Sequence, residues 1–210
     1  MPAIDHLVYA SPDLDEGVHR IEQFVGGRAI AGGAHPGLGT RNALLGFDAT
    51  AYFEIIGIDP EQSDPAWGRP FGLEPGGEPK LVAYAIHPVG GESLEDLVAT
   101  LTALGFDPGE VVSMSRRTPE GQELNWRLTF PRDPASSGDG ALPFAIDWGP
   151  TPSPAASLPS MGSLDAVRIQ HPDARVRDAI DALDLGIQVG DGPLELIAVV
   201  DTPTSRVEIG

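Results

Sequence analysis

The feature that most constrains this 210-residue chain is a layout that returns three times along it. Each copy reads as a strand, a helix and then three more strands. The first copy spans strand-like runs at 3–10, 28–33, 40–47 and 51–58, with a helical stretch at 14–25. The second has strands at 81–87, 110–116, 123–130 and 142–148 and a helix at 94–104. The third has strands at 164–171, 187–189, 194–200 and 206–209 and a helix at 174–183. Ile4, Asp5, Leu7, Pro12 and Asp13 recur as Leu164, Asp165, Val167, Pro172 and Asp173, and Phe53-Glu54-Ile55 recurs as Val207-Glu208-Ile209. A repeat of this kind decides the fold, because one unit cannot bury the apolar face of its own four-stranded sheet. Two units together can curl into a cup. The expected fold is α+β: repeated βαβββ modules forming cupped mixed sheets with helices outside. Residues 1–150 should hold two modules, at about 3–59 and 80–149, and residues 151–210 a linker plus a third βαβββ-like module.

Local signals agree with this layout. Leu14, Val18, Ile21 and Val25 recur every three or four residues, which gives a helix one apolar stripe. Ser11 or Asp13 can cap it, and Gly26-Gly27 stops it. Ser93 caps the second helix, with Glu95 and Asp96 in its first turn. Pro60, Pro65, Pro70, Pro75 and Pro79 make residues 59–79 an ordered connector without regular structure. Thr118-Pro119-Glu120-Gly121 reads as a hairpin turn, and residues 133–140 as a small, polar loop.

The formal charge of −18 opposes contact with phosphate backbones and anionic lipid, so neither nucleic acid nor a membrane is an expected partner. The absence of cysteine removes disulfides, thiolate metal sites and thiol nucleophiles. The N-terminus shows no signal-peptide pattern and no apolar run is long enough to span a bilayer, which makes a cytoplasmic location the expectation. No phosphate loop, dinucleotide fingerprint or nucleophile elbow is present. The expected partner is a small molecule held in the cup.

A few residues can carry chemistry there. His6 lies on the first strand and Glu54 on the fourth. Imidazole plus carboxylate suits Fe, Mn, Zn or Ni, and equally suits a core histidine beside a paired structural carboxylate. His35 sits in a Gly/Pro loop beside Thr40, Arg41 and Asn42. Arg41 can grip a carboxylate or carbonyl oxygen through its bidentate fork. Arg127 follows Trp126 on a strand, as a substrate anchor or a solvent-facing charge. Trp126 and Tyr52 are candidates for stacking on a ligand.

The stretches Asp5-His6-Leu7-Val8-Tyr9-Ala10, Gly32-Gly33-Ala34-His35-Pro36-Gly37-Leu38-Gly39-Thr40-Arg41-Asn42 and Ala51-Tyr52-Phe53-Glu54-Ile55-Ile56 resemble glyoxalase-like domain proteins of the vicinal-oxygen-chelate superfamily. Trp126-Arg127-Leu128-Thr129-Phe130 and Leu142-Pro143-Phe144 with Trp148 resemble the second half of that domain. The resemblance covers roughly residues 3–150 and implies paired βαβββ modules with metal ligands on first and last strands. It maps a divalent metal (Fe, Mn, Zn or Ni) onto His6 and Glu54, with Asp147 as third ligand and Glu123 as the alternative. It makes Glu54 and His35 the catalytic candidates and Arg41, Asn42, Trp126 and Arg127 the substrate contacts. The implied activity is a small-molecule lyase, isomerase or dioxygenase. The alternative is a metal-free protein that binds and sequesters a small molecule. A homodimer is an expected assembly, because an odd number of modules leaves one without an internal partner.

Overall fold

The computed structural model describes residues 2–118, 121–131 and 134–210. The centre of the expected turn at 118–121, Pro119 and Glu120, and Asp133 at the start of the polar loop lie outside the described residues.

The described residues form twelve strands and three α-helices in curved, nearly barrel-like sheets. The first module comprises β1 (Ala3–Ala10), α1 (Leu14–Val25), β2 (Ile30–His35), β3 (Thr40–Gly46) and β4 (Tyr52–Ile58). Asp13 starts α1 by accepting hydrogen bonds from the amides of Asp15 and Glu16. Gly26, at φ 69°, ends it in the left-handed conformation that a Cβ disfavours. The strand expected at 28–33 runs on to His35, so this histidine closes β2 instead of sitting in the loop.

The second module repeats the layout with β5 (Lys80–His87), α2 (Leu94–Ala103), β6 (Glu110–Arg117), β7 (Glu123–Phe130) and β8 (Phe144–Asp147). A capping box between Ser93 and Asp96 sets the start of α2. In both modules the first strand lies parallel to the last: β1 on β4, and β5 on β8. The first strands of the two modules then pair antiparallel, so that one eight-stranded sheet runs β2-β3-β4-β1-β5-β8-β7-β6. Its ends approach each other. Arg116 of β6 donates to the carbonyl of Gly32 on β2, and a Cβ on Gly33 would lie 2.7 Å from the Arg117 carbonyl oxygen. The sheet is thereby bent almost into a barrel.

Alternation along each strand divides the residues between two faces. Leu7, Tyr9, Phe53, Ile55, Ala43 and Leu45 point outward and form the main core with α1 and α2. Their neighbours His6, Asn42, Glu54, Trp126, Phe144 and Ile146 point inward and line the cup.

The third unit is β9 (Ser163–Gln170), α3 (Ala174–Ala182), β10 (Gln188–Gly190), β11 (Glu195–Asp201) and β12 (Arg206–Ile209). Its element order is βαβββ, but its pairing differs. Here the strand after the helix lies parallel to the first, and the sheet order is β10-β9-β11-β12. Glu208 therefore does not stand beside the first strand as Glu54 does, because β12 pairs with β11. Val167, Ile169, Leu196, Ala198, Val200 and Ile209 join the main core on the outer face of the large sheet. The third unit thus finds its apolar partner within its own chain. Among the described residues no helix is long and apolar enough to cross a membrane.

Candidate active site

The cup encloses a cavity of about 710 Å³, within the roughly 300–1,000 Å³ of small-molecule sites. Leu128, Phe144, Ile146, Trp126 and Trp148 form an apolar wall, His6, Asn42 and Glu54 stand on the β1, β3 and β4 side, and Arg69, Lys80 and Arg116 line the cavity elsewhere. The connector at 59–79 crosses the rim and contributes Trp67 and, from a 3-10 turn at Pro70–Gly72, Phe71. All three tryptophans of the chain, Trp67, Trp126 and Trp148, line this one cavity.

Glu54 is the centre of the polar group. His6 Nε2 faces its Oε2 at 3.5 Å and His35 Nε2 faces its Oε1 at 3.6 Å. Asn42 Nδ2 donates to Oε1 at 2.6 Å. The far side of each imidazole is also held: His6 Nδ1 donates to Asp5 Oδ1 at 2.7 Å, and His35 Nδ1 lies 3.0 Å from Thr40 Oγ1. Tyr52 stacks on His6 with ring centroids 4.7 Å apart, and Phe144 meets the same ring edge-on. Asp5 is anchored in turn by Trp148 Nε1 at 3.1 Å and faces His87 Nδ1 at 3.3 Å. Gly32 has no alternative here, since a Cβ on it would stand 2.0 Å from Asn42 Oδ1.

The buried charges push their neighbours apart in charge state. Burial would raise the Glu54 carboxyl, but His6, His35 and Asn42 outweigh it and hold it at about 2. Burial likewise opposes the His6 imidazolium, yet Asp5 and Glu54 raise it to about 9. Asp5 is held at about 2: burial is outweighed by its two histidine neighbours. Burial lowers His35, which stays neutral despite Glu54. The cavity thus presents an ionised carboxylate between an imidazolium and a neutral imidazole.

The structure brings together four of the residues expected from sequence, His6, His35, Asn42 and Glu54, and places Trp126 on the wall. It turns four others away. Phe144, Ile146 and Trp148 line the cavity, so Asp147 between them points out, where it pairs with Arg127 at 3.1 Å. Arg127 lies between the inward Trp126 and Leu128 and also pairs with Glu95 at 2.6 Å. Arg41 lies between Thr40 and the inward Asn42 and lines a separate groove near α1. Glu123 is exposed and faces Arg117. The reason is the two-residue period of a strand: a neighbour in sequence is on the other side of the sheet. Sequence reading missed Arg116, whose side chain is 5 % exposed and lines the cavity. Its alternation with Met114 on β6 was the available signal.

The metal set that the resemblance implies does not assemble. Asp147 is on the wrong face, and among the described residues no group of three His, Asp or Glu is placed to hold an ion. The Glu54 carboxylate instead bridges the two imidazoles, one oxygen to each, with an amide hydrogen already on Oε1.

Residues 4–183 match the family model described as a glyoxalase-like domain, and the chain belongs to that family. The match begins in β1 and continues through the linker into the third unit. A hypothetical protein from Staphylococcus aureus has a similar structure at 16% identity, with a TM-score of 0.61 over 99% of this chain and 84% of that one. A methylmalonyl-CoA epimerase solved with methylmalonyl-CoA aligns at 21% identity over 72% of this chain and 97% of that one, with a TM-score of 0.46. The epimerase from Mycobacterium tuberculosis aligns at 18% identity over 68% and 84%, with a TM-score of 0.40. The family match and the shared fold bear out the glyoxalase-like domain expected from the sequence. No curated protein matches in sequence.

Proposed function

We propose that this chain is a small-molecule enzyme of the isomerase or lyase type that moves a proton next to a carbonyl group, with Glu54 as base and His6 as acid. The observation that carries the reading is the Glu54 carboxylate set between His6 and His35 inside the cavity. Two titratable groups whose surroundings drive them to opposite charge states are a base and an acid ready for use. Glu54 accepts the proton released from the substrate carbon. His6 donates to the carbonyl oxygen, so that the electron pair left by the departing proton ends as an enol. The reverse transfers, to the same or a neighbouring carbon, complete an isomerisation. Loss of a leaving group from that carbon's neighbour makes a lyase.

In the free protein Glu54 is a weak base because His6 stabilises its charge. A carbonyl that takes the His6 hydrogen bond draws the imidazolium away from Glu54 and strengthens the base. Asn42 and Thr40 hold Glu54 and His35 in place, and Asp5 orients His6. A divalent metal would polarise the same carbonyl as a Lewis acid, but its ligand set is incomplete among the described residues.

The test is hydrogen exchange at substrate carbon in D₂O, followed by proton NMR over a panel of carbonyl acids. The wild type is expected to exchange the α-proton of at least one member, and Glu54→Gln to slow this by about 10²- to 10⁴-fold, the usual share of general acid–base catalysis. Full exchange by Glu54→Gln would overturn the reading. The second reading, a binding protein without turnover, draws on the apolar wall and its three tryptophans. Saturable binding with no exchange across the panel would select it.

A further inference from the structure

Arg116 is a buried cation with little to do. Its residue is 5 % exposed, and one guanidinium nitrogen donates to the Gly32 carbonyl. Among the described residues it makes no ion pair. A guanidinium has five N–H donors in a planar fork, so most of its capacity is left over. Burial lowers its affinity for the proton and outweighs the Coulombic pull of the Glu54 carboxylate, with which it makes no direct ion pair among the described residues. A buried charge is normally paired, and here the side chain borders the cavity on the same inner face as Met114 and Trp126.

A second unexplained feature lies at the rim. Trp67 is 48 % exposed and Phe71 38 % exposed, both on the connector and both bordering the cavity. Phe71 stands at φ 57°, a left-handed backbone that a bulky residue avoids. Trp67 packs edge-on against Phe130, and Phe71 meets Phe144 at a tilt, so each rim aromatic adjoins an aromatic residue of the wall. Large aromatic groups exposed around a concave site mark a surface that a ligand covers.

We propose that the cavity takes an aryl carboxylate: one monoanionic carboxylate on Arg116 and a flat ring system lying along the aromatic lining toward the rim residues Trp67 and Phe71. A single guanidinium matches a single carboxylate, with two parallel hydrogen bonds. Of the other cations that line the cavity, Arg69 is already paired with Asp64 and Glu74 and Lys80 is exposed, so a phosphate would need more donors than Arg116 alone offers inside, and the chain's charge of −18 opposes a polyanion. The aromatic lining favours a planar ring over an aliphatic chain, because ring pairs gain from stacked and edge-on packing beyond the area they bury. This inference deepens the proposed function by naming the substrate class, and its test reads binding alone.

Isothermal titration with 2-naphthoate, 2-naphthylmethanol, cyclohexanecarboxylate and 2-naphthyl phosphate separates charge from ring. The naphthoate should bind tightest. Arg116→Gln should weaken it about 10- to 150-fold, from the 1.5–3 kcal/mol of a hydrogen bond to a charged group, and should leave the neutral alcohol unchanged. Arg116→Lys keeps the charge, guards against a folding defect, and should recover part of the loss. Phe71→Ala and Trp67→Ala, both exposed and tolerant of truncation, should each weaken the naphthoate about 2- to 12-fold while sparing cyclohexanecarboxylate. Equal binding of acid and alcohol, or preference for the phosphate, would overturn the proposal. So would naphthoate binding that is indifferent to Arg116→Gln or to both rim variants. If naphthoate binds as described and no carbonyl acid exchanges its α-proton, the proton-transfer reading falls and this one stands. If exchange depends on Glu54 but Arg116→Gln does not affect naphthoate, the reverse holds.

Discussion

Replacing His6 by alanine should cost the fold a large share of its stability. The ring is 3 % exposed and lies between two buried carboxylates, Asp5 at 2.7 Å and Glu54 at 3.5 Å. Its removal leaves both with one partner fewer. Breaking a buried ion pair from one side costs about 3–5 kcal/mol, against a total of about 5–15 kcal/mol for a typical domain. The pH dependence follows from the same cluster. His6 is raised from 6.5 to about 9, so its contribution is complete below pH 6.5 and is lost as pH rises through 9. Glu54 is lowered from 4.5 to about 2, so its contribution is complete above pH 4.5 and is lost as pH falls through 2. Stability from this cluster should therefore be greatest between pH 4.5 and 6.5. Urea denaturation followed by tryptophan fluorescence at several pH values measures both effects. Adding Glu54→Gln to His6→Ala should return part of the loss, because one unpaired charge is gone. A His6→Ala protein that loses less than about 1 kcal/mol at pH 6, with wild-type stability flat from pH 6.5 to 9.5, would refute the charge assignment.

Other consequences can be checked with single variants. Tyr84 is fully buried and its hydroxyl has no partner among the described residues, so Tyr84→Phe should leave stability unchanged or raise it by about 1 kcal/mol in thermal denaturation. Gly32→Ala would drive a methyl group into the Asn42 amide that holds Glu54, and chemical denaturation should show a loss of about 1–3 kcal/mol. Asp147→Ala and Arg127→Ala disturb a largely exposed ion-pair network and, for Asp147, one hydrogen bond from the Gly149 amide, and each should change stability by about 1 kcal/mol or less and leave ligand affinity intact in titration calorimetry. Elemental analysis after incubation with Fe, Mn, Zn or Ni should find no stoichiometric ion; a full equivalent lost in both His6→Ala and Glu54→Ala would restore a metal to the site.

The cup was legible because its period is long and its punctuation local. Pro12, Ser93, Gly26 and the proline-rich connector mark where each element starts or ends, whatever the tertiary context. His6 and Glu54 were legible because they stand on the first and last strands of one module, which the sheet places side by side. Asp147, Arg127 and Arg41 were misplaced by the one-residue step that changes the face of a strand. Arg116 escaped notice because its role depends on the closure of β6 onto β2, a contact between residues 84 apart. The pairing of β9 with β10 was not readable for a similar reason: element order is the same for both arrangements, and only packing on the outer face of the large sheet selects between them.

The most direct test of the central claim, an acid and a base paired at Glu54 and His6, is nitrogen-15 NMR of the histidine rings across pH in wild type and Glu54→Gln. His6 should keep both ring protons up to about pH 8 and titrate near 9, His35 should stay neutral near pH 7, and Glu54→Gln should move the His6 midpoint down. A His6 midpoint near 6.5 that is indifferent to Glu54→Gln would contradict that claim.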